Sequence, residues 1–267
     1  MSGTIEKYAG MLGIDLKMDF AYRGNAALNV VFNIAYPLVM LFVWTTIYHA
    51  SNVSSIGNFT LTSMILYFFM ISMVGYTADP KTAFAMEEDI ASGTITPYLT
   101  RPISYIAGLV MSTISQNIFF MLLPGMVIIV PLIFLFHVSV TLQLVSVLAA
   151  ELVACYLISL LIGILMGTCA VYLTRISGMI NSEQFLATIL GGSIVPISLF
   201  PAKISSILSL LPFQFLYYVP AATFSGELPI GAAIGSLWLA AVWIVILSIA
   251  AYAFWTRARK RITAVGV

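Results

Sequence analysis

The sequence predicts an all-α integral membrane protein with six transmembrane helices and no appended soluble domain. Three observations carry that expectation. Hydrophobic residues fill 61% of the 267 positions and charged residues only 8%, against about 25% charged in an ordinary soluble domain. The charges are also bunched. Residues 24–78 and 102–150 contain no Asp, Glu, Lys or Arg, whereas Asp79, Lys81, Glu87, Glu88, Asp89 and Arg101, six of the 21 charged residues, fall between positions 79 and 102. Finally, five of the 11 prolines (Pro196, Pro201, Pro212, Pro220 and Pro229) crowd into one late apolar stretch, where no straight spanning helix tolerates them.

Residues 1–24 precede the first apolar run and form no span. Ile5, Tyr8, Ala9, Leu12, Leu16 and Phe20 recur at helical spacing opposite Glu6, Gly10, Gly13 and Lys17, the pattern of a helix lying in the membrane interface. The first apolar run begins too late and is too long for a cleavable leader. Apolar runs of about 20 residues cross a bilayer, and the first two are residues 26–48 and 59–78, joined through Ser51, Asn52 and Asn58. After the polar segment, His137 and Ser139 mark a turn at 136–141 that separates a third span (103–135) from a fourth (142–173). Both exceed the bilayer thickness, so tilt or kinks are expected, with Pro124 and Pro131 as kink sites. A polar turn with Arg175 leads to a fifth span at 183–199. The proline-rich stretch reads as short helical pieces dipping part-way into one leaflet, shielded by protein. The sixth span, 230–255, ends against Arg257, Arg259, Lys260 and Arg261.

Six spans place both termini on one side of the membrane. That side then carries every Lys and Arg except Lys203, and the excess of basic residues marks it as cytoplasmic. The whole chain, 1–267, is read as one multi-pass domain of a cell membrane.

The chemistry that is missing narrows the function. There is no G-x-x-x-x-G-K-[ST] phosphate loop and no H-E-x-x-H, so ATP or a metal is not expected on this chain. His49 and His137 lie near span ends. Ser193 follows two glycines, but the inner helices offer it no histidine base. Gly191–Ser193 and the Gly163-x-x-x-Gly167 pair read instead as sites of close helix packing. Cys155 and Cys169, about 21 Å apart along one helix, read as packing residues. Glu151 is the one carboxylate deep in a span, about 13 Å from the nearer turn. It reads either as a hydrogen-bonded helix contact or as part of a substrate path.

Two stretches resemble a known family. Residues 90–104, IASGTITPYLTRPIS, resemble the I-x-x-G-x-[IL]-x-x-x-L-x-R-P-[IL] loop of type-2 ATP-binding-cassette permeases, the ABC-2 family. Residues 191–228, from GGSIVPISLFP through LPFQFLYYVP to TFSGEL, resemble their outer hairpin, and the amphipathic start followed by Tyr22-Arg23 is similar to their opening. The resemblance spans essentially the whole chain and is strongest to a subgroup of similar length in which two different permease chains often share one kind of ATPase.

The resemblance implies six spans with an N-terminal interface helix, a cytoplasmic coupling helix within 79–102 and an extracellular re-entrant hairpin at 197–229. The coupling helix would cover 82–92, with Met86, Glu87, Glu88, Asp89 and Ile90 facing the ATPase, Gly93 ending it and Arg101-Pro102 opening the third span. Pro196, Phe200, Pro201, Pro212, Phe213, Pro220 and Gly226 would shape the hairpin. Tyr36, Trp44, Tyr67, Phe68 and Glu151 are the expected walls of a path for a hydrophobic or amphipathic cargo (a drug, lipid or peptide), between the first, second and fifth spans. Phe32 and Phe69 belong to the same aromatic set. The implied partners are two cytoplasmic ABC ATPase subunits, which hold the ATP and Mg, a second permease chain, identical or homologous, and the lipid bilayer; nucleic acid is not expected. The chain itself would be an exporter subunit and no enzyme. The alternatives are a stand-alone channel or secondary carrier, expected to show more buried ionisable groups and an internal repeat, an intramembrane enzyme, and a regulatory membrane subunit without a path.

Overall fold

A computed structural model describes residues 10, 13, 14, 17, 23–96, 98, 104–173 and 175–265, with side chains except at 23–33, 119–126 and 262–265. Most of the expected interface helix lies outside the described residues; Gly10, Gly13, Ile14 and Lys17 are helical. Arg101, Pro102 and the Phe32 side chain also lie outside them.

Helix α1 (Arg23–Ser51) carries Pro37 within it. The link after it is more ordered than its polar residues suggested. Two-residue strands β1 (Ser55–Ile56) and β2 (Phe59–Thr60) pair antiparallel, Ser55 opposite Thr60 and Ile56 opposite Phe59. Gly57 supplies the positive φ of +60° that a two-residue hairpin loop demands. Tyr48 Oη donates to the Phe59 carbonyl at 2.6 Å and pins the hairpin to α1. Thr60 and Ser63 then form a reciprocal capping box that starts α2 (Leu61–Ala78).

Helix α2 is the centre of the molecule. Met64, Tyr67, Phe68 and Val74 are essentially inaccessible, as expected of a helix that is apolar all round. Helix α1, helix α4 (Tyr105–Leu135) and helix α5 (Leu142–Thr168) pack around it. Between α2 and α4 lies the amphipathic α3 (Lys81–Ser92). Helix α4 ends at Leu135 and α5 starts at Leu142, with Thr141 accepting the Leu144 N–H as its cap; the turn falls at 136–141 as expected. Helix α4 is continuous through Pro124 and Pro131.

The fifth expected span differs. Helix α6 (Ser177–Leu190) starts six residues earlier than expected and stops at Leu190, so its 14 residues rise only about 21 Å. The backbone reverses at Gly191 and Gly192, the latter with φ +83°. A Cβ at Gly191 would sit 2.5 Å from the Ala187 carbonyl and 2.7 Å from that of Phe213, so only glycine lets the incoming and returning segments touch here. The proline stretch then forms a 3-10 turn at Ile197–Leu199, helix α7 (Ala202–Leu208), a 3-10 turn at Pro212–Leu216 and helix α8 (Tyr218–Phe224). Pro196 and Pro201 precede the first two pieces and Pro212 opens the third, positions where a missing N–H costs nothing.

The last helix, α9, runs Ile230–Val265, 36 residues, and carries its helix through the basic cluster. It packs along α5 through Ala233, Ala240, Ala251 and Ala258, none more than 4% exposed; small side chains let two apolar helices approach closely. Trp238, Val245, Ile249 and Tyr252 face outward. Among the described residues, four segments have the length and hydropathy of a membrane span: Ile34–Ser51, Leu61–Ser92, Leu142–Val171 and Ile230–Arg261. The chain is an all-α, multi-pass membrane protein.

Candidate coupling helix and translocation face

Helix α3 is held at both ends. Pro80 precedes it, and Lys81 Nζ donates back to the Tyr76 carbonyl at 2.7 Å. Gly93 ends it in the left-handed conformation (φ +76°), the glycine stop expected from sequence. Its inner face is Thr82, Ala83 and Met86, all buried. That face lies in a groove that Gly163 and Gly167 open on α5. A Cβ at Gly163 would stand 2.8 Å from Thr82 Cβ, and one at Gly167 would stand 2.6 Å from Met86 Cβ. Four-residue spacing on α3 meets four-residue spacing on α5, so the glycine pair serves α3 rather than another spanning helix.

This docking corrects the expected outward set. Met86 is fully buried and faces α5, not solvent. Ile90 is half-buried among Met86, Ile95, Tyr105 and Leu109. Glu87 points away along the protein surface: its Oε1 accepts the Ile176 N–H at 2.8 Å, the Ser177 N–H at 3.2 Å and the Ser177 hydroxyl at 2.9 Å. Ile176, the N-cap of α6, makes no side-chain cap bond of its own, so Glu87 caps α6 from 89 positions away. Partial burial opposes ionisation of Glu87, but these N–H and hydroxyl donors, with Arg175 nearby, hold its carboxyl below the usual range. Asp89 accepts from Thr94 Oγ1 and from Tyr105 Oη, both at 2.8 Å, and so ties α3 to the start of α4. Glu88 alone of the three carboxylates is exposed. It shares its face with Phe84 and Ala91, at helical spacing, and Phe84 was not among the expected residues. Gly93 is half-buried.

The expected path residues separate in the same way. Tyr67 and Phe68 are at most 1% exposed, and Trp44 is buried in a stack on Phe68 with centroids 6.0 Å apart. Tyr67 packs edge-on to Phe59 and Phe68, and Phe69 is buried as well. These aromatics are core, not wall. Glu151 is 2% exposed; its Oε1 accepts the Thr223 hydroxyl at 2.8 Å, while Oε2 is buried without a partner among the described residues. It fastens α5 to α8 and is almost inaccessible, which favours the helix-contact reading over the path reading.

Tyr36 does line an opening. With Ile71, Ser72, Gly75, Tyr76, Ser193 and Tyr217 it borders a cleft of about 220 Å³ between α1, α2 and the break that follows α6. Four of those seven residues carry hydroxyls that sequence did not assign: Ser72, Tyr76, Ser193 and Tyr217. Tyr36 Oη donates to the Ser193 carbonyl at 2.9 Å and Tyr67 Oη to the Gly192 carbonyl at 2.6 Å, so the broken end of α6 is hydrogen-bonded to both helices.

In the hairpin, Pro196, Pro212 and Pro220 are buried, Phe200 and Phe213 half-buried, and Pro201 and Gly226 exposed. Gly226 has φ +82°. Cys155 and Cys169 are free thiols; Cys155 lies against the Leu216 carbonyl at 3.6 Å.

No curated protein matches the chain. A family model described as "ABC-2 family transporter protein" matches residues 34–266, most of the described fold including α3 and the hairpin. The chain belongs to the ABC-2 transporter family.

Proposed function

We propose that the chain is the permease subunit of an ABC exporter in the cell membrane, driven by two separate cytoplasmic ATPase subunits that hold the ATP and Mg. In this reading all 267 residues form one non-catalytic permease domain. It has six spans, α6 and the hairpin together making the fifth crossing, and both termini lie in the cytoplasm. A second permease chain, identical or homologous, completes the path, and residues 197–229 cap it on the outside. Helix α3 is the coupling helix.

The observation that carries the reading is the wiring of α3. One 12-residue helix docks into α5, caps α6 through Glu87 and holds α4 through Asp89, while Phe84, Glu88 and Ala91 stay free for an outside body. A push on that stripe reaches three helices at once. The cleft at Tyr36 supports an amphipathic cargo, since hydroxyl groups there stand beside apolar walls.

Reversing all three carboxylates of α3 would break internal ties together with any contact. Phe84→Ala with Glu88→Lys touches only the exposed stripe. The complex is purified in mild detergent and ATP hydrolysis is read with and without the permease. Loss of permease-dependent stimulation with an unchanged melting temperature is the expected result. Full stimulation and transport in the double variant would place the contact elsewhere, and purification of the chain without any ATPase would return the reading to a carrier or channel.

A further inference from the structure

A second cleft of about 370 Å³ lies between the start of α4, the end of α5 and the last turns of α9. Its walls change character along its length. Leu161, Ile164 and Ala251 make one end apolar, whereas Ser104, Thr256 and Arg259 supply hydroxyls and a guanidinium at the other. From Ser248 to Arg259 the cleft follows α9 for about 16 Å, out of the apolar run and into the basic one. Ser104, the cap residue of α4, lines the same cleft. Trp255 stacks on Tyr105 with centroids 5.6 Å apart, and aromatic rings of this kind are enriched at membrane interfaces. Arg259 is exposed at the cleft, and Arg257, Lys260 and Arg261 are exposed on the same turns of α9, the Arg261 guanidinium 5.2 Å over the Tyr172 ring.

We propose that this cleft binds one anionic phospholipid, its phosphate on Arg259 with Ser104 and Thr256, and an acyl chain along Ile106 and Leu161. An apolar slot alone would accept any lipid tail, but Arg259 at its polar end, with three more basic residues within two positions of it in sequence, favours a negative headgroup, each basic residue near a charged bilayer surface adding about five-fold. Guanidinium is the side chain suited to hold phosphate by two parallel bonds. Leu161 belongs to the α5 segment that also carries the glycine groove for α3, so lipid and α3 bear on one helix. The site requires only that the chain sits in a bilayer, and stands or falls apart from the coupling assignment.

The test uses the full chain in mixed micelles and reads quenching of tryptophan by brominated lipid. Trp255 is the only tryptophan lining the cleft. Brominated phosphatidylglycerol should quench at lower mole fraction than brominated phosphatidylcholine, and Trp255→Phe should erase that difference. Arg259→Gln should weaken the preference roughly ten-fold or more, the weight of a charge-assisted bond, while Arg257→Gln should cost about five-fold or less. Ser248→Leu narrows the slot without changing charge and should reduce quenching by both lipids, which keeps the test intact if Arg259→Gln does not fold. Equal quenching by the two lipids would overturn the proposal, as would equal losses from Arg257→Gln and Arg259→Gln. Displacement of the lipid by inorganic phosphate at matching concentration would also overturn it, marking an ion site without a lipid.

Discussion

The two ends of α6 are fastened by different chemistry. At Ser177 the helix is capped by a carboxylate, Glu87, partly open to water. At Leu190 it breaks into carbonyls that accept hydroxyls from Tyr36 and Tyr67, the latter in a fully buried aromatic cluster. Water competes for the Glu87 bonds and reaches the Tyr36 bond through the cleft, but it cannot reach the Tyr67 bond. The α3 end is therefore the easier of the two to open, and the buried Tyr67 bond makes the hairpin end the firmer.

Four substitutions test that asymmetry. The largest effect is expected at Gly191. An added Cβ meets backbone carbonyls that cannot turn aside, so Gly191→Ala should destabilise the chain by about 3 kcal/mol, read as a lowered melting temperature in detergent. Next is Gly167→Ala, which pushes on Met86 from the α5 side. It should cost about 2 kcal/mol and loosen α3 specifically, seen as faster amide exchange across 81–92 than across α2. If exchange rises equally in both helices, the two ends are one cooperative unit and the asymmetry is wrong.

Tyr67→Phe removes one hydroxyl and leaves the Gly192 carbonyl unpaired in a dry site, for about 1.5 kcal/mol. That loss should not depend on pH between about 4 and 8, a range that encloses the ordinary pKa values of Glu and His.

The smallest effect is Glu87→Gln, about 1 kcal/mol after discounting for solvent at a partly exposed site. Its sign is fixed by the lowered carboxyl pKa. The stabilisation is complete above the unfolded value of about 4.3 and fades as pH falls through the lower folded one. The wild-type advantage over Glu87→Gln should therefore be present at neutral pH and vanish in acid, measured by unfolding the two proteins side by side. A gap that persists unchanged in acid would mean that the cap does not act through its charge.

Much of this frame was legible in the residues. The turn at 136–141, the glycine stop of α3 and the fragmentation of the proline stretch follow from local rules about charge, φ and missing N–H groups. What local rules could not give was facing. Twelve residues of α3 offer two plausible outward sides, and the acidic one drew the assignment that placed Met86 outside. The resolving signal was non-local: Thr82 and Met86 share the spacing of Gly163 and Gly167. Likewise Tyr67 and Phe68 suit a path or a core equally in one dimension, although an α2 apolar on every side argues for core. Glu151 was recognisable as costly, but its partner Thr223 is 72 positions away and no local pattern announces it.

The two thiols give the molecule a built-in clock. Cys155 and Cys169 are the only cysteines in the chain, one inaccessible beneath Leu216 and the other partly open just past the end of α5. A membrane-permeant alkylating reagent will label Cys169 at a rate set by its partial exposure and its thiolate fraction. It reaches Cys155 only in the moments when residue 216 lifts away. The ratio of the two rates reports how often that opening occurs, without a single engineered residue.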